Sequence, residues 1–166
     1  MSNSTYIIDD NLLVSGGKRF LNYIIDIVFI LVTIFVLAII VSIFANIFAW
    51  QGFLFWMGNM TDLDGQLVFI GTSIFYYLFF EGLFGRSVAK FITGTTVVGE
   101  DGVKPDFVTI LKRTFCRLIP FDALSFLGSR GWHDSISDTY VVNKKALDEE
   151  VKTFHELNLL GVSETI

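Results

Sequence analysis

Residues 20–61 carry one charged side chain, Asp26, and that fact restricts the chain more than any other. About 18 or more consecutive residues with few charges have the length and polarity of a membrane span. Two stretches qualify: Leu21 to Ala49, interrupted by Asp26, and Leu67 to Phe84, interrupted by Glu81. The sequence therefore predicts an all-α membrane protein built on a two-span helical hairpin, with spans at about 20–49 and 67–84. Composition agrees, since 52% of the 166 residues are hydrophobic and 18 are Phe. The mean hydropathy of +0.60 is too apolar for a single domain of this size to hide from water.

The apolar part of a signal peptide is usually about 7–15 residues. The first run is nearly twice that, follows a leader containing Asp9 and Asp10, and lacks a small-x-small cleavage pattern, so a retained anchor is expected. A single Cys116 excludes an intrachain disulfide framework and a multi-cysteine metal site. The net charge of −5 says little about partners because the charges are segregated, and no stretch resembles a nucleic-acid surface.

That segregation predicts orientation. Lys and Arg near span ends favour the cytoplasmic side. Gln51 to Gln66, between the spans, contains Asp62 and Asp64 but no Lys or Arg. Lys18 and Arg19 precede the first span, and Arg86, Lys90, Lys104, Lys112, Arg113, Arg117 and Arg130 follow the second. A multi-pass protein of the cell (plasma) membrane with both termini cytoplasmic is expected. Trp50 and Trp56 then belong to the outer aromatic belt. Asn59-Met60-Thr61 fits a glycosylation pattern, read here as incidental in so short a loop.

A cytoplasmic cap should follow the second span. "TTVVGEDGVKP" alternates β-branched residues and then presents Asp-Gly, which predicts a short β-hairpin. In "DFVTILKRTFCRLIPFDALSFL", Asp106 is a candidate N-cap, and Phe107, Leu111, Phe115 and Leu118 share a helical face with Lys112, Arg113 and Arg117 beside it. As a span this segment would bury basic residues at about 2.5–3.5 kcal/mol each. An amphipathic interfacial helix over about 107–119, its basic residues at the lipid headgroups, fits better; a re-entrant or third span over 107–127 is the alternative. The membrane domain thus covers 1–143. A C-terminal amphipathic helix occupies the tail, 144–166, where Leu147, Val151, Phe154 and Leu157 recur at helical spacing and Gly161 is a natural stop. Its apolar stripe docks either on the same chain or on a protein partner.

Asp26 and Glu81 are the carboxylates inside the runs. A bare carboxylate in lipid is costly, and such groups neutralise, find partners or face water. Arg19 lies about 10 Å of helical rise from Asp26, too far for an easy direct pair. Asn22 or Tyr23 would have to bridge them, or each charge pairs with another segment. Phe20 to Trp50 would form a helix about 46 Å long against a hydrocarbon core near 30 Å. Asp26 therefore sits either at headgroup depth or in a buried polar cluster, and Glu81 is either wet, paired with Arg86, or in the same cluster. His133 and His155 are isolated and lack ligand spacing, so no metal or other cofactor is expected. "GWHDSISDT" crowds Ser, His and Asp without forming a triad. Without a nucleophile or metal set, no enzyme activity is expected.

These segments resemble the RDD family of membrane proteins, named for one Arg and two Asp. "GGKRFLNYIID" is similar to its opening motif, with Arg19 and Asp26 in the motif positions. "EGLFGRSVAKFITGTTVVGEDGVKP" resembles its central signature through Glu81, Gly85, Arg86, Ser87 and Lys90, with Ala89 in place of the usual Gly. "GWHDSISDTYVV" resembles its closing motif, with Asp134 as the second Asp and Asp138 the alternative. The resemblance covers residues 12 to 143. It departs in "LIPFDALSFL", shorter than the third hydrophobic stretch that members often carry. It implies a family-motif polar set of Arg19, Asp26 and Asp134, supported at the inner leaflet by Glu81, Arg86, Lys90, Arg113 and Arg117. It also implies transport such as cation–proton exchange. Because two spans cannot enclose a path, this reading requires a homo-oligomer in the bilayer and a cation as substrate. The rival expectation is a non-catalytic scaffold or assembly subunit that recruits a partner through its tail helix.

Overall fold

The computed structural model describes residues 8–119, 122, 125 and 131–163. After a short 3₁₀ turn at Asp10–Leu12, α1 runs over Gly16–Ile47. At 32 residues it is about 48 Å long, enough for the hydrocarbon core and both interfacial zones. A short helix, α2 (Gln51–Gly58), follows, and α3 (Asp62–Phe84) returns. Thr61 opens α3 with a capping box: its hydroxyl accepts from the Asp64 N–H, and the Asp64 carboxylate accepts from the Thr61 N–H at 2.9 Å. That pair accounts for Asp64 and Thr61 in the connecting segment. Gly85, in the left-handed region at φ 71°, closes α3. Lys104 Nζ donates to the Gly82 and Leu83 carbonyls at 2.6 and 3.0 Å, so a distant cation satisfies carbonyls left open at the helix end.

The cap contains α4 (Val88–Thr93), β1 (Thr95–Val98), α5 (Phe107–Cys116), α6 (Trp132–Ile136), β2 (Tyr140–Asn143) and α7 (Lys144–Ser163). Asp106 N-caps α5, accepting from the Thr109 N–H at 3.0 Å. The two strands pair antiparallel, Thr95 opposite Asn143 and Val98 opposite Tyr140. This corrects the expected hairpin. The chain does turn after Val98, with the Gly99 N–H donating to the Val103 carbonyl at 2.8 Å. But the residues beyond the turn lead into α5, and the strand facing β1 is the segment after α6. Leu13 bridges to Val142 on the free side of β2, drawing the leader into the same layer.

Burial divides the molecule into two zones of opposite polarity. In α1 the buried side chains are Arg19, Asn22 and Asp26 with Ile30 and Ala45, while Phe, Ile, Leu and Val crowd the exposed surface. In α3 they are Ser73, Tyr76, Tyr77 and Glu81, and Phe75 and Leu83 face outward. A helix in water buries its apolar stripe; these helices bury their polar one. With mean hydropathy of 3.3 and 1.7 over their most apolar windows, both are long and apolar enough to cross a membrane, and their exposed apolar faces suit lipid. The sheet layer is the reverse. Leu12, Val98, Val142 and Leu147 form an apolar core with Val151 packed on it, and Glu100, Asn143 and Lys145 are exposed.

α5 reverses one expectation in detail. Its exposed face carries Phe107, Val108 and Phe115, and its buried face carries Ile110, Arg113 and Thr114. Arg113 and Arg117 thus turn into the protein, where carboxylates await them, and not toward headgroups; Lys112 alone of the three is exposed. With ten residues, α5 is about 15 Å long, half a bilayer core, so it is no span by itself; residues 120, 121, 123, 124, 126 and 127 of the alternative lie outside the described residues. The tail helix docks on the chain itself through Leu147 and Val151 and continues past Gly161 to Ser163. The Leu157 side chain and Arg130 lie outside the described residues.

The two zones should respond differently to truncation. Leu147→Ala removes a buried contact and is expected to cost roughly 2–5 kcal/mol of local docking, seen as faster proteolysis within α7. Phe75→Ala, on a side chain 69% exposed, should leave the protease pattern unchanged.

Candidate functional site

The polar face of α1 meets the start of the cap. Asn22 Nδ2 donates to Thr95 Oγ1 at 3.1 Å, and Thr93 Oγ1 donates to Asn22 Oδ1 at 2.7 Å, which fixes the α4–β1 junction. One helical turn further on, Asp26 is 2% exposed. Its Oδ1 accepts from the Tyr76 hydroxyl at 2.7 Å and from the Ala89 N–H at 3.0 Å, and the Val88 N–H donates to the Tyr76 oxygen at 3.2 Å. Ser87, the N-cap of α4, makes no capping bond of its own. Asp26 therefore caps α4 in trans, from a different helix. Among the described residues no cation lies within 4.0 Å of it.

Glu81 is 1% exposed and gathers three cations. Lys90 Nζ lies 2.6 Å and Arg117 Nη2 2.8 Å from Oε1, and Arg113 Nε lies 3.5 Å from Oε2. Arg117 also stacks 3.7 Å over the Tyr77 ring, a favourable position for a guanidinium. Arg113, fully buried, reaches the other way as well: Nη1 lies 2.7 Å from Asp134 Oδ1 and donates to Thr139 Oγ1. Arg19 Nη1 approaches Asp134 at 4.0 Å. Beyond Asp134, His133 Nδ1 lies 2.7 Å from Asp122, and its Nε2 lies 3.4 Å from Asp134 Oδ1. Because Asp122 can only accept, Nδ1 carries the proton of the neutral ring.

Among the described residues the cluster comprises four cations, Arg19, Lys90, Arg113 and the part-buried Arg117, and four carboxylates, Asp26, Glu81, Asp122 and Asp134, with His133 between the last two. They come from both long helices, α4, α5, α6 and the segment before α6. Arg19, Asp26, Lys90, Arg117, Asp122, His133 and Asp134 line one cavity of about 20 Å³, room for a single water-sized occupant.

The environment moves several of these groups. Burial lowers the Lys90 pKa from 10.5 to about 8; Glu81 opposes the shift, and Arg117 and Arg113 add to it. Burial raises Asp134, but the surrounding cationic field outweighs it and holds the carboxyl below its usual range. At neutral pH that field comes chiefly from Arg113, because burial holds His133 below its ordinary value despite Asp134 and Asp122.

Of the residues singled out in the sequence, Arg19, Asp26, Glu81, Lys90, Arg113, Arg117 and Asp134 converge here. Arg86 does not: its guanidinium lies 4.4 Å over the Phe91 ring, and Glu81 pairs with other cations. Asp26 is buried by protein, and Arg19 approaches Asp134 of α6. Asp138, the alternative second Asp, is exposed and sits at φ 50° in the turn before β2. Sequence reasoning missed Tyr76 and Asp122 as members of the site, set His133 aside as isolated, and named Asn22 as a bridge from Arg19 to Asp26, whereas it binds Thr93 and Thr95. For Asn22 the signal was present, since it lies between Arg19 and Asp26 on their helical face.

His133 generates a pH prediction. Its folded pKa lies below the unfolded value of about 6.5, so between the two the unfolded chain binds more protons. Stability is then complete above about pH 6.5 and falls as the pH drops toward the folded value. Unfolding temperature measured against pH should show this acid-side loss in the wild type and a weaker one in His133→Gln, which keeps a donor for Asp122. Equal slopes would show that His133 does not set it.

No curated protein and no solved structure matches the chain significantly. The family model that matches is described as the RDD family and aligns to residues 13–154, spanning both long helices, the charge cluster and the start of α7. The protein therefore belongs to the RDD family of membrane proteins.

Proposed function

We propose that the chain is a cation–proton exchange module, acting as a homo-oligomer in the cell membrane with both termini cytoplasmic. The observation that carries this reading is the composition of the small cavity: Asp26 and Lys90 line it together, within an ionisable set that is balanced while Lys90 holds its proton. A lysine that titrates near pH 8 can release that proton under ordinary conditions. Glu81 keeps Arg113 and Arg117 when it does. The set then carries one net negative charge, which a monovalent cation beside Asp26 would offset. Intramembrane ionisable groups of this kind mark ion and proton pathways. A path across the bilayer needs more than two spans, and further copies of the hairpin are the simplest supply. The lack of Lys and Arg between the spans supports the orientation.

A second reading rests on a different observation. Both hydrogen bonds to Asp26 are architectural, holding Tyr76 and the first turn of α4. On this view the cluster is a clamp that fixes the hairpin to its cap, and the protein is a scaffold or assembly subunit. The docking of Leu147 and Val151 on the chain's own core leaves less of the tail for a partner.

Asp26→Asn separates the two, because the amide oxygen still accepts both bonds but cannot carry a negative charge. In proteoliposomes under a cation gradient, exchange predicts proton flux in the wild type, near-complete loss in Asp26→Asn, and unchanged oligomer size and thermal stability. No wild-type flux, or full flux in the variant, contradicts exchange and leaves the clamp.

A further inference from the structure

The inverted polarity of the spans does not stop where they end. In α4 the buried side chains are Ala89 and Lys90, and Phe91 and Ile92 are exposed. α5 buries Arg113 and Thr114 beside Ile110, and exposes Phe107, Val108 and Phe115 beside Lys112. In α6, His133 and Asp134 are buried, while Trp132 and Ile136 are 46% and 55% exposed. A short element in water has no reason to bury an ion pair and expose Trp and Ile on its other face; the energetics favour the opposite. Among the described residues the order reverts in the β1–β2–α7 layer, whose core is apolar and whose surface carries Glu100 and Lys145.

We infer that α4, α5 and α6 form a collar sunk into the inner leaflet. The water boundary then lies between the collar and the sheet layer, and the partner of these exposed faces is the acyl-chain and headgroup zone of the bilayer. Continuity with the lipid-facing surface of α1 and α3 carries this assignment. On α1 the apolar surface already begins at Phe20 and Leu21, one residue after Arg19. From there to Phe48 the helix rises about 42 Å, the depth of the hydrocarbon core plus both interfaces, about 40–45 Å. The start of α1, where Arg19, Asn22 and Asp26 bind the cap, therefore lies at interfacial depth. Elements packed at that level with apolar faces outward meet lipid, each buried about 5–10 Å into the headgroup–acyl boundary. The charge cluster is then roofed by lipid at its sides, and water reaches it from the sheet layer.

Trp132 reports the depth directly. In a variant carrying Trp50→Phe and Trp56→Phe, both at exposed positions, Trp132 is the remaining tryptophan. Reconstituted in phosphatidylcholine vesicles brominated near the carboxyl end of the acyl chain, its fluorescence should fall to about half or less. Bromination near the methyl end should quench it less, and acrylamide in the water should quench it several-fold less than free tryptophan, as expected at interfacial depth. Acrylamide quenching equal to that of free tryptophan without bromolipid quenching would overturn the collar. Shielding from both quenchers would also overturn it, by showing that protein covers α6. Cys116→Ser with Ile136→Cys and a polarity-sensitive label gives a second reading with all tryptophans in place: a blue-shifted emission supports the collar, and a water-like emission opposes it.

Discussion

The end of the hairpin that carries the cap depends on Arg113 sitting between Glu81 and Asp134. A fully buried charge is shielded from bulk water, so it must be met by an opposite charge and by hydrogen bonds. Arg113, fully buried, meets one carboxylate from the second span and one from α6. Through the first it shares Glu81 with Lys90 of α4, and through the second it reaches toward Arg19 of α1. Four helices are thus tied by one guanidinium and its neighbours, beside the apolar contact that Ile30 of α1 makes with Tyr76 and Tyr77 of α3. Asp26 adds a fifth tie of another kind, a carboxylate capping a helix that has no cap of its own.

The same arrangement explains why a network this dense is compatible with titration. Glu81 has three cationic partners, so the loss of one proton leaves it paired. Lys90, by contrast, has one carboxylate and two repelling arginines, and its proton is the one loosened by burial. A cluster can therefore lock a fold and still exchange a proton, provided that the exchanging group is the least needed for neutrality. The clamp and exchange readings differ only in whether that loosened proton is used.

Much of the membrane architecture was legible in the residues. Two long apolar runs with a charge-poor connection predict a hairpin, and Asp26 and Glu81 stand out because lipid leaves them no other solvent. The β pairing was not legible, because β1 is joined to a strand some forty residues later and its turn signal, Asp-Gly, is real but leads to a helix. The direction in which Arg113 and Arg117 face was lost for a different reason. Helical periodicity separates two faces but does not say which of them meets protein, and in lipid the usual assignment is reversed. Asp122, His133 and Tyr76 carry no distinctive spacing and acquire meaning only when α6 and α3 are brought against α1.

The central claim is that neutrality of the buried set, more than any one contact, holds the cap to the spans. Thermal unfolding in lipid nanodiscs of Arg113→Met, Asp134→Asn and the double variant tests it most directly. Arg113→Met alone leaves the buried set with one uncompensated negative charge and should cost about 3–5 kcal/mol. The double variant removes one charge of each sign and should be more stable than Arg113→Met alone, a strongly non-additive cycle. Additive losses, with the double variant the least stable of the three, would contradict it.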